Sequence, residues 1–219
     1  MITMEDLKHD HEISVYLSRS TEYLGSIGFT EHGARHAGLV SKLAYQVLKG
    51  LDYPERDCQL AELAGYMHDL ANMINRQNHG PSGALMAFQI LSRMHMEPEE
   101  IALVISAIGN HEEENGNAIN HVAAALILAD KSDVHRSRVT NKDFAKFEIH
   151  DRVNYAAEKS TLVVNKEQKT VTLDITINTE ICPVMEYFEI FLARMIMCRR
   201  AAEFLNCYFS LVINENRLL

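Results

Sequence analysis

The 219-residue chain is long enough for one domain, or for one domain with a small appendage, and it can bury a sizeable core. Its net charge of −9, with histidine counted as neutral, argues against the broad phosphate-binding surface of a nucleic-acid-binding protein. The N-terminus lacks the apolar stretch of a signal peptide and no apolar run is long enough to cross a membrane, so we expect a cytoplasmic protein without a membrane or nucleic-acid partner.

The cysteines are scattered and lack the paired spacing of metal or redox motifs. This spacing favours buried thiols in a reducing compartment over a metal or disulfide role. The four cysteines are Cys58, Cys182, Cys198 and Cys207.

Hydrophobic periodicity predicts helices over most of the first 160 residues. Thr30 and Pro98 suit helix starts, and Gly50 and Gly116 suit breaks between helices. One or two further helices are expected over 141–158. Before residue 141, six helices are predicted, near 5–25, 31–50, 56–72, 81–96, 98–110 and 117–136.

The pattern changes after residue 160. Thr161–Val164 and Thr170–Asn178 are β-branched and partly alternating, which predicts a β-hairpin. A long helix over about 183–208 has a wide apolar arc, for which intramolecular packing is favoured and a homodimer interface stays open. We therefore predict a mainly α fold: a helical domain over 1–160, with the hairpin and the long helix over 161–219 packed on it.

The sequence contains three His-Asp dipeptides, and their helical positions distinguish them. His68-Asp69 lies where the apolar stripe of its predicted helix continues, whereas His150 points away from the stripe of its own helix. His9-Asp10 lies in a charged first turn. We therefore predict that His68-Asp69 faces the interior and that the pairs at 9–10 and 150–151 are solvated.

The same test finds further polar residues at the ends of apolar stripes, while His32 is favoured as a surface residue. One inward histidine is ordinarily a hydrogen-bonded core residue, but a buried carboxylate such as Asp130 needs a cation or hydrogen-bond donors. Convergence on metal therefore explains the set better than independent structural roles. The candidate ligands are His36, His68, Asp69, His79, His111 and Asp130.

Imidazole and carboxylate ligands together suit Mn, Fe, Zn or Co. Two such ions at about 3.5–4 Å can hold a bridging hydroxide and bind a phosphoryl oxygen. Asp69 can offer one oxygen to each ion. The sequence predicts one site completed by His36, His68 and Asp130, and a second completed by His79 and His111.

The order H…HD…H…H…D resembles that of the HD superfamily of phosphohydrolases, and the local likeness over about 31–138 extends to the small bacterial HD hydrolases that split diadenosine tetraphosphate symmetrically. The resemblance implies a helical HD domain, two divalent metal ions and hydrolysis of a small phosphorylated substrate of nucleotide type. Its motifs are Arg35-His36, Ala64–Asp69, His79–Ala84, Ala107–His111, and Ala129-Asp130 with Arg136.

Two departures bear on the substrate. The family often has lysine four residues after the HD histidine, where it can meet phosphate or assist proton transfer, but here the position is Asn72. The Gly-Tyr-Pro signature of cyclic-di-GMP phosphodiesterases is absent after His111, so that substrate is set aside, and the chain after 160 lies outside the resemblance.

Three basic residues follow Asp130: Lys131, Arg136 and Arg138. They could bind substrate phosphate or complement the dipole at a helix end, and the match to the family favours Arg136 for the first role. The predicted catalytic residues are accordingly Asp69, Asn72 and Arg136.

The favoured function is hydrolysis of a phosphate ester or anhydride by metal-activated water, without a covalent intermediate, because no serine or cysteine is placed as a nucleophile beside a free base. A metal-holding module that binds a nucleotide as a sensor, with little turnover, is the alternative that Asn72 keeps open. Oxygen activation by a di-iron site is a more distant one.

Overall fold

A computed structural model describes residues 1–141 and 143–219. The fold is mainly α with a small sheet and a long C-terminal helix, as predicted, and no helix in the described part is long and apolar enough to span a membrane. The helices are α1 (Met4–His9), α2 (His11–Ser26), α3 (Ala34–Gly50), α4 (Glu55–Met67), α5 (His79–Arg93), α6 (Pro98–Gly109), α7 (His121–Lys131), α8 (Ile149–Ala156) and α9 (Val184–Phe204). The strands are β1 (Ala157–Asn165), β2 (Thr170–Ile177), β3 (Tyr208–Ile213) and β4 (Asn216–Arg217).

Helix α7 is the centre of the bundle, because every residue from Val122 to Lys131 is buried. Its alanines let α3, α4, α6 and α9 approach closely. Gly65 does the same for the contact between α4 and α3, since a Cβ at this position would stand 2.7 Å from Ser41 Cα. The four cysteines are buried free thiols, as the sequence predicted.

Several predicted helix bounds need correction. The helix predicted over 5–25 is two helices, because Asp10 ends α1 and its side chain accepts the Ile13 N–H as the N-cap of α2. Helix α5 starts at His79, following Asn78 in a left-handed conformation with φ 56°. Helix α7 starts at His121 and ends at Lys131, inside the predicted 117–136.

The hairpin is confirmed, since β1 and β2 pair antiparallel. The prediction that the last helix runs to 208 is wrong, because α9 ends at Phe204 and the chain turns at Asn206 with φ 57°. Tyr208–Ile213 then forms β3, which pairs parallel with β2, so α9 is the crossover between two neighbouring strands. The sheet order is β1-β2-β3-β4.

Five helix termini meet on one side of the bundle. The first turns of α3 and α5, the last turn of α7 and the residues just after α4 and α6 supply the six candidate ligands. Buried Ser20 of α2 donates to the Leu70 carbonyl at 2.9 Å, which fixes the turn that follows α4. The fold therefore places the ends of helices, where sequence patterns change, around one point.

Candidate metal centre

The four candidate histidines all use Nδ1 for a hydrogen bond within the protein. In each ring Nδ1 lies within hydrogen-bond distance of an oxygen that can only accept, so Nδ1 carries the proton and Nε2 keeps its lone pair. The Nδ1 distances are 2.7 Å from His36 to Asp133 Oδ2, 2.8 Å from His68 to the Gly65 carbonyl, 2.9 Å from His79 to the Arg76 carbonyl and 2.6 Å from His111 to the Ile108 carbonyl.

Asp69 lies between two pairs of these rings. Its Oδ2 is 3.6 Å from His36 Nε2 and 3.4 Å from His68 Nε2. Its Oδ1 is 3.2 Å from His79 Nε2 and 3.9 Å from His111 Nε2. Each carboxylate oxygen therefore faces a different histidine pair.

Asp130 completes the first group. Its Oδ1 lies 3.3 Å from His36 Nε2 and 3.7 Å from His68 Nε2. Ligand atoms of His36, His68 and Asp130 converge within 4.8 Å of one another, and so do those of His68, Asp69 and His111. His79 falls outside both groups, although its Nε2 is 3.0 Å from His111 Nε2.

The donor set fits a divalent transition metal. His36 Nε2, His68 Nε2 and Asp69 Oδ2 are buried and have no hydrogen-bond partner among the described residues. Buried polar atoms are rarely left without a partner, and imidazole nitrogen with carboxylate oxygen is the set that Mn, Fe, Co and Zn prefer. Asp69 Oδ2 lies 3.6 Å from His36 Nε2 and 3.4 Å from His68 Nε2. An ion placed between these three atoms would satisfy all of them.

The protonation of the cluster follows from its charges. Burial alone would raise the pKa of Asp69, but His68 and His79 hold it well below its usual range. Burial opposes the charged form of His68, yet the carboxylates of Asp69 and Asp130 raise its pKa. Burial and the neighbouring His68 and His79 lower the pKa of His111 well below its usual value. The carboxylates are therefore ionised, as metal ligands must be.

Asp133 is a supporting residue that the sequence did not reveal. Besides accepting from His36 Nδ1, it accepts from Arg35 Nη2 at 2.8 Å. Burial would raise its pKa, but the contacts with His36, Arg138 and Arg35 lower it strongly. Its spacing of three residues from Asp130 was the available signal.

The structure places two of the three predicted basic residues beside the candidate ligands and the third away from them. Lys131 Nζ is 2.7 Å from Asp130 Oδ2, and buried Arg138 donates to the Asp133 carbonyl at 2.8 Å. Both line a small cavity at the ligands. Arg136 is not brought to this point: its Nη2 lies 2.9 Å from Glu158 Oε1, and it lines neither this cavity nor the adjoining larger one.

Asn72 is fully buried and contacts a guanidinium. Its Oδ1 accepts from Arg76 Nη1 at 3.1 Å, while its Nδ2 has no partner among the described residues. The same Arg76 Nη1 lies 3.3 Å from His79 Nε2 and 3.9 Å from Asp69 Oδ1. A cation thus stands beside the ligands four residues after the position where the family often has lysine.

Two surface predictions need correction. His32 is only 6% exposed, and its ring lies 5.4 Å from that of His36 because the chain before α3 folds over the cluster. Burial and nearby Arg138 lower the pKa of His32 well below its usual value. Asp151 is 8% exposed rather than solvated, whereas its neighbour His150 is exposed.

A cavity of about 530 Å³ adjoins the ligands. Its lining includes Arg194 of α9, which the sequence analysis missed because nothing local marks it as different from other helix-surface arginines. Arg194 Nε is 2.7 Å from Glu113 Oε1, and its guanidinium lies 4.3 Å above the Phe191 ring. The C-terminal part of the chain therefore contributes to the pocket beside the cluster.

Two comparisons with known proteins bear on this site. The uncharacterized protein MJ1020 of Methanocaldococcus jannaschii is 23% identical over 200 residues, which cover 80% of this chain and 76% of that protein. Its name does not bear on the narrower likeness to diadenosine tetraphosphate hydrolases. The family model of the HD domain matches residues 33–134. The segment that supplies all six candidate ligands is therefore the segment that matches the HD domain.

Proposed function

We propose that this protein is a metal-dependent phosphohydrolase that cleaves a phosphate ester or anhydride of a nucleotide-like substrate. The observation that carries the proposal is the convergence of four Nε2 atoms and two buried carboxylates beside an arginine-lined cavity. The match to the HD domain supports the reaction class, since HD domains are typical of metal-dependent hydrolases.

The residues would divide between two divalent transition-metal ions, Mn, Fe, Co or Zn. Asp69 would contribute one oxygen to each ion because its two oxygens face different histidine pairs. Bound divalent metal supplies a Lewis acid and lowers the pKa of water from 15.7 to about 7. His36, His68 and Asp130 would hold one ion, and His79 and His111 the other.

Other residues would bind and orient the substrate. Arg76 faces both the cavity and Asp69, so its guanidinium can donate to a phosphoryl oxygen that enters from the cavity. Lys131 and Arg138 line the small cavity at the ligands and add positive charge there. A catalytic part for Arg136 stays a prediction; its exposed ion pair with Glu158 is worth about 0–1 kcal/mol and would cost little to break.

The proposal is tested by loading the purified chain with Mn, Fe, Co or Zn, and assaying nucleotides, dinucleoside polyphosphates and simple phosphate esters. We expect two ions per chain by elemental analysis, and hydrolysis that Asp69→Ala abolishes together with both ions. His79→Ala is expected to lose mainly one ion. His9→Ala is the matched control, because His9 is exposed and far from the cluster in sequence. Nucleotide binding without turnover in every metal would instead favour the sensor alternative.

Direct attack by water is tested separately. In heavy-oxygen water the label should enter the phosphate-containing product during a single turnover. Unlabelled first-turnover product, or a phosphorylated side chain trapped during turnover, would falsify this route.

A further inference from the structure

The cavity beside the metal cluster has an inner end that can be located from its lining. The larger cavity and the small cavity at the ligands share His32, Arg76, His79 and Arg194. These shared residues mark the point where the larger cavity reaches the cluster. Two of them are arginines, so a phosphate group fits at this end.

Two glutamates in the wall of the larger cavity already have partners within the protein. Glu112 Oε1 accepts the Gly80 N–H at 2.7 Å and contacts His79. Glu113 pairs with Lys131 and Arg194; burial would raise its pKa, but these cations lower it to about 2. Glu113 is therefore compensated by two cations, and Glu112 is held by a backbone hydrogen bond and a contact with His79.

Three further acids of this cavity have no cationic partner among the described residues. Glu114, Glu148 and Asp151 line the larger cavity only, and none forms an ion pair with a residue in the described ranges. Asp151 is only 8% exposed. Within those ranges its carboxylate accepts one side-chain hydrogen bond, a long one of 3.5 Å from Asn141 Nδ2. A buried carboxylate with so weak a contact favours a ligand that donates hydrogen bonds to it.

These three acids do not form a second metal cage. Within the described residues, the groups whose ligand atoms converge within 4.8 Å both belong to the central cluster. Glu114, Glu148 and Asp151 belong to neither group, so they are separate acceptors and not one ligand set. Separate acceptors suit several hydroxyl or amino groups of one molecule better than a single ion.

We infer that the substrate is a phosphate monoester of a neutral or cationic alcohol, with its phosphate at the Arg76 and Arg194 end and its hydroxyl or amino groups at Asp151. This inference rests on the proposed function. Water adds its oxygen to phosphorus, the ester P–O bond breaks and the alcohol leaves with a proton, giving inorganic phosphate. A second anionic group on the alcohol would face Asp151 and Glu148 and be repelled. Polyphosphates are disfavoured for the same reason.

A matched pair of substrates tests this polarity. Glycerol 3-phosphate and 3-phosphoglycerate are similar in size, but the second carries a carboxylate in place of a hydroxymethyl group. With Mn²⁺ we expect kcat/KM to favour glycerol 3-phosphate by about tenfold, between the water-like and protein-like limits for charges about 6 Å apart. Asp151→Asn should reduce the ratio to about threefold. Glu167→Gln, at the exposed hairpin turn, should leave it unchanged.

Calorimetric binding of the same two compounds provides a readout that needs no turnover. Preferential binding of glycerol 3-phosphate without hydrolysis would support the inference while rejecting the proposed function. Hydrolysis with equal or reversed preference would reject the inference while supporting that function. If Asp151→Asn fails to fold, Glu148→Gln is tested in its place and should lower the ratio of the two kcat/KM values. An unchanged ratio in that variant contradicts the inference.

Discussion

The ring of His36 is fixed through Nδ1 by a side-chain carboxylate. Its Nδ1 lies 2.7 Å from Asp133 Oδ2, and His79 Nδ1 likewise contacts Glu112, whereas His68 and His111 bond only backbone carbonyls through Nδ1. A carboxylate on Nδ1 fixes the tautomer and makes Nε2 a better ligand. Asp133 should therefore control metal binding without touching the ion.

The first prediction concerns the contact between Asp133 and His36. Asp133→Ala should weaken metal binding by about 10–100-fold, the usual effect of losing such a partner. Arg35→Ala is the matched control, because it removes a partner of Asp133 but leaves the contact with His36. Competition with a chelator of known affinity measures both variants. Equal affinity in Asp133→Ala and the unaltered protein would contradict the role assigned to Asp133.

The sequence predicts the candidate ligands but not the residues that support them. His68 and Asp130 interrupt apolar stripes, and a polar residue in such a stripe is a strong local signal. Arg76, Asp133 and Arg194 acquire their significance only from tertiary contacts, in which the partners lie on other elements. Asp133 has one weak local signal, its spacing of three residues from Asp130, whereas nothing in the sequence marks Arg76 or Arg194.

Among the elements, α9 has a role that its composition did not predict. It lies outside the stretch that matches the HD domain, yet it brings Arg194 to the inner end of the cavity. Glu113 and the face of Phe191 hold the guanidinium in place. The helix thus acts as a wall of the proposed active site as well as a crossover.

The second prediction follows from this position. Arg194→Ala should raise KM by at least about tenfold, because a hydrogen bond to a charged group contributes about 1.5–3 kcal/mol. Metal content and the free energy of unfolding should change little. Arg199→Ala is the control, since Arg199 is exposed on the same helix near Glu203. Steady-state kinetics decide; an unchanged KM in Arg194→Ala would show that the guanidinium does not contact substrate.

The third prediction concerns the start of α2. Asp10 caps this helix and pairs with Arg93 at 2.7 Å. Burial opposes ionisation, but Arg93 and the Ile13 N–H outweigh it, so the folded-state pKa lies below the ordinary 3.8. The stabilisation is therefore complete above pH 3.8 and is lost as pH falls through the lower folded-state value.

Asp10→Ala should accordingly lower the free energy of unfolding by about 1 kcal/mol at neutral pH, as for loss of other N-caps. Asp10→Asn keeps a cap acceptor and should cost less. Urea unfolding at several pH values measures both. A deficit in Asp10→Ala that grows on acidification would have the wrong sign and would contradict this account.

The boundary between α9 and β3 shows where local pattern fails. Phe209, Leu211 and Ile213 alternate as strand residues should, but they follow an apolar helix after only a short turn. The partner of β3 is β2, about forty residues earlier, and parallel pairing leaves no hairpin turn as a signal. The β1–β2 hairpin was predictable because its pairing is local.

At the scale of the whole molecule, we propose that the parts predicted as 1–160 and 161–219 unfold as one unit. Helix α9 packs on α7, and the buried hydrophobic residues of both parts belong to one cluster. Leu173 of β2 and Leu211 of β3 are register partners, and both are fully buried. A defect in the sheet should therefore destabilise the bundle as well.

Leu211→Ala should lower the free energy of unfolding by about 2–5 kcal/mol and keep a single transition. Val212→Ala, at a half-buried neighbouring position, is the control and should cost less. Far-UV circular dichroism and tyrosine fluorescence follow the transition independently. Two separate transitions would mean that the parts fold as independent domains.

The crossover through α9 also sets an order in time. A chain emerges from the ribosome N-terminus first, so all six candidate ligands, His36 to Asp130, are synthesised before Asp151, Arg194 and the closing strand β3. Since the two parts are proposed to unfold as one unit, the candidate ligands can assemble around an ion only once α9 and β3 have packed on the bundle. Metal acquisition would then wait for the late part of the chain, although all six candidate ligands belong to the early part.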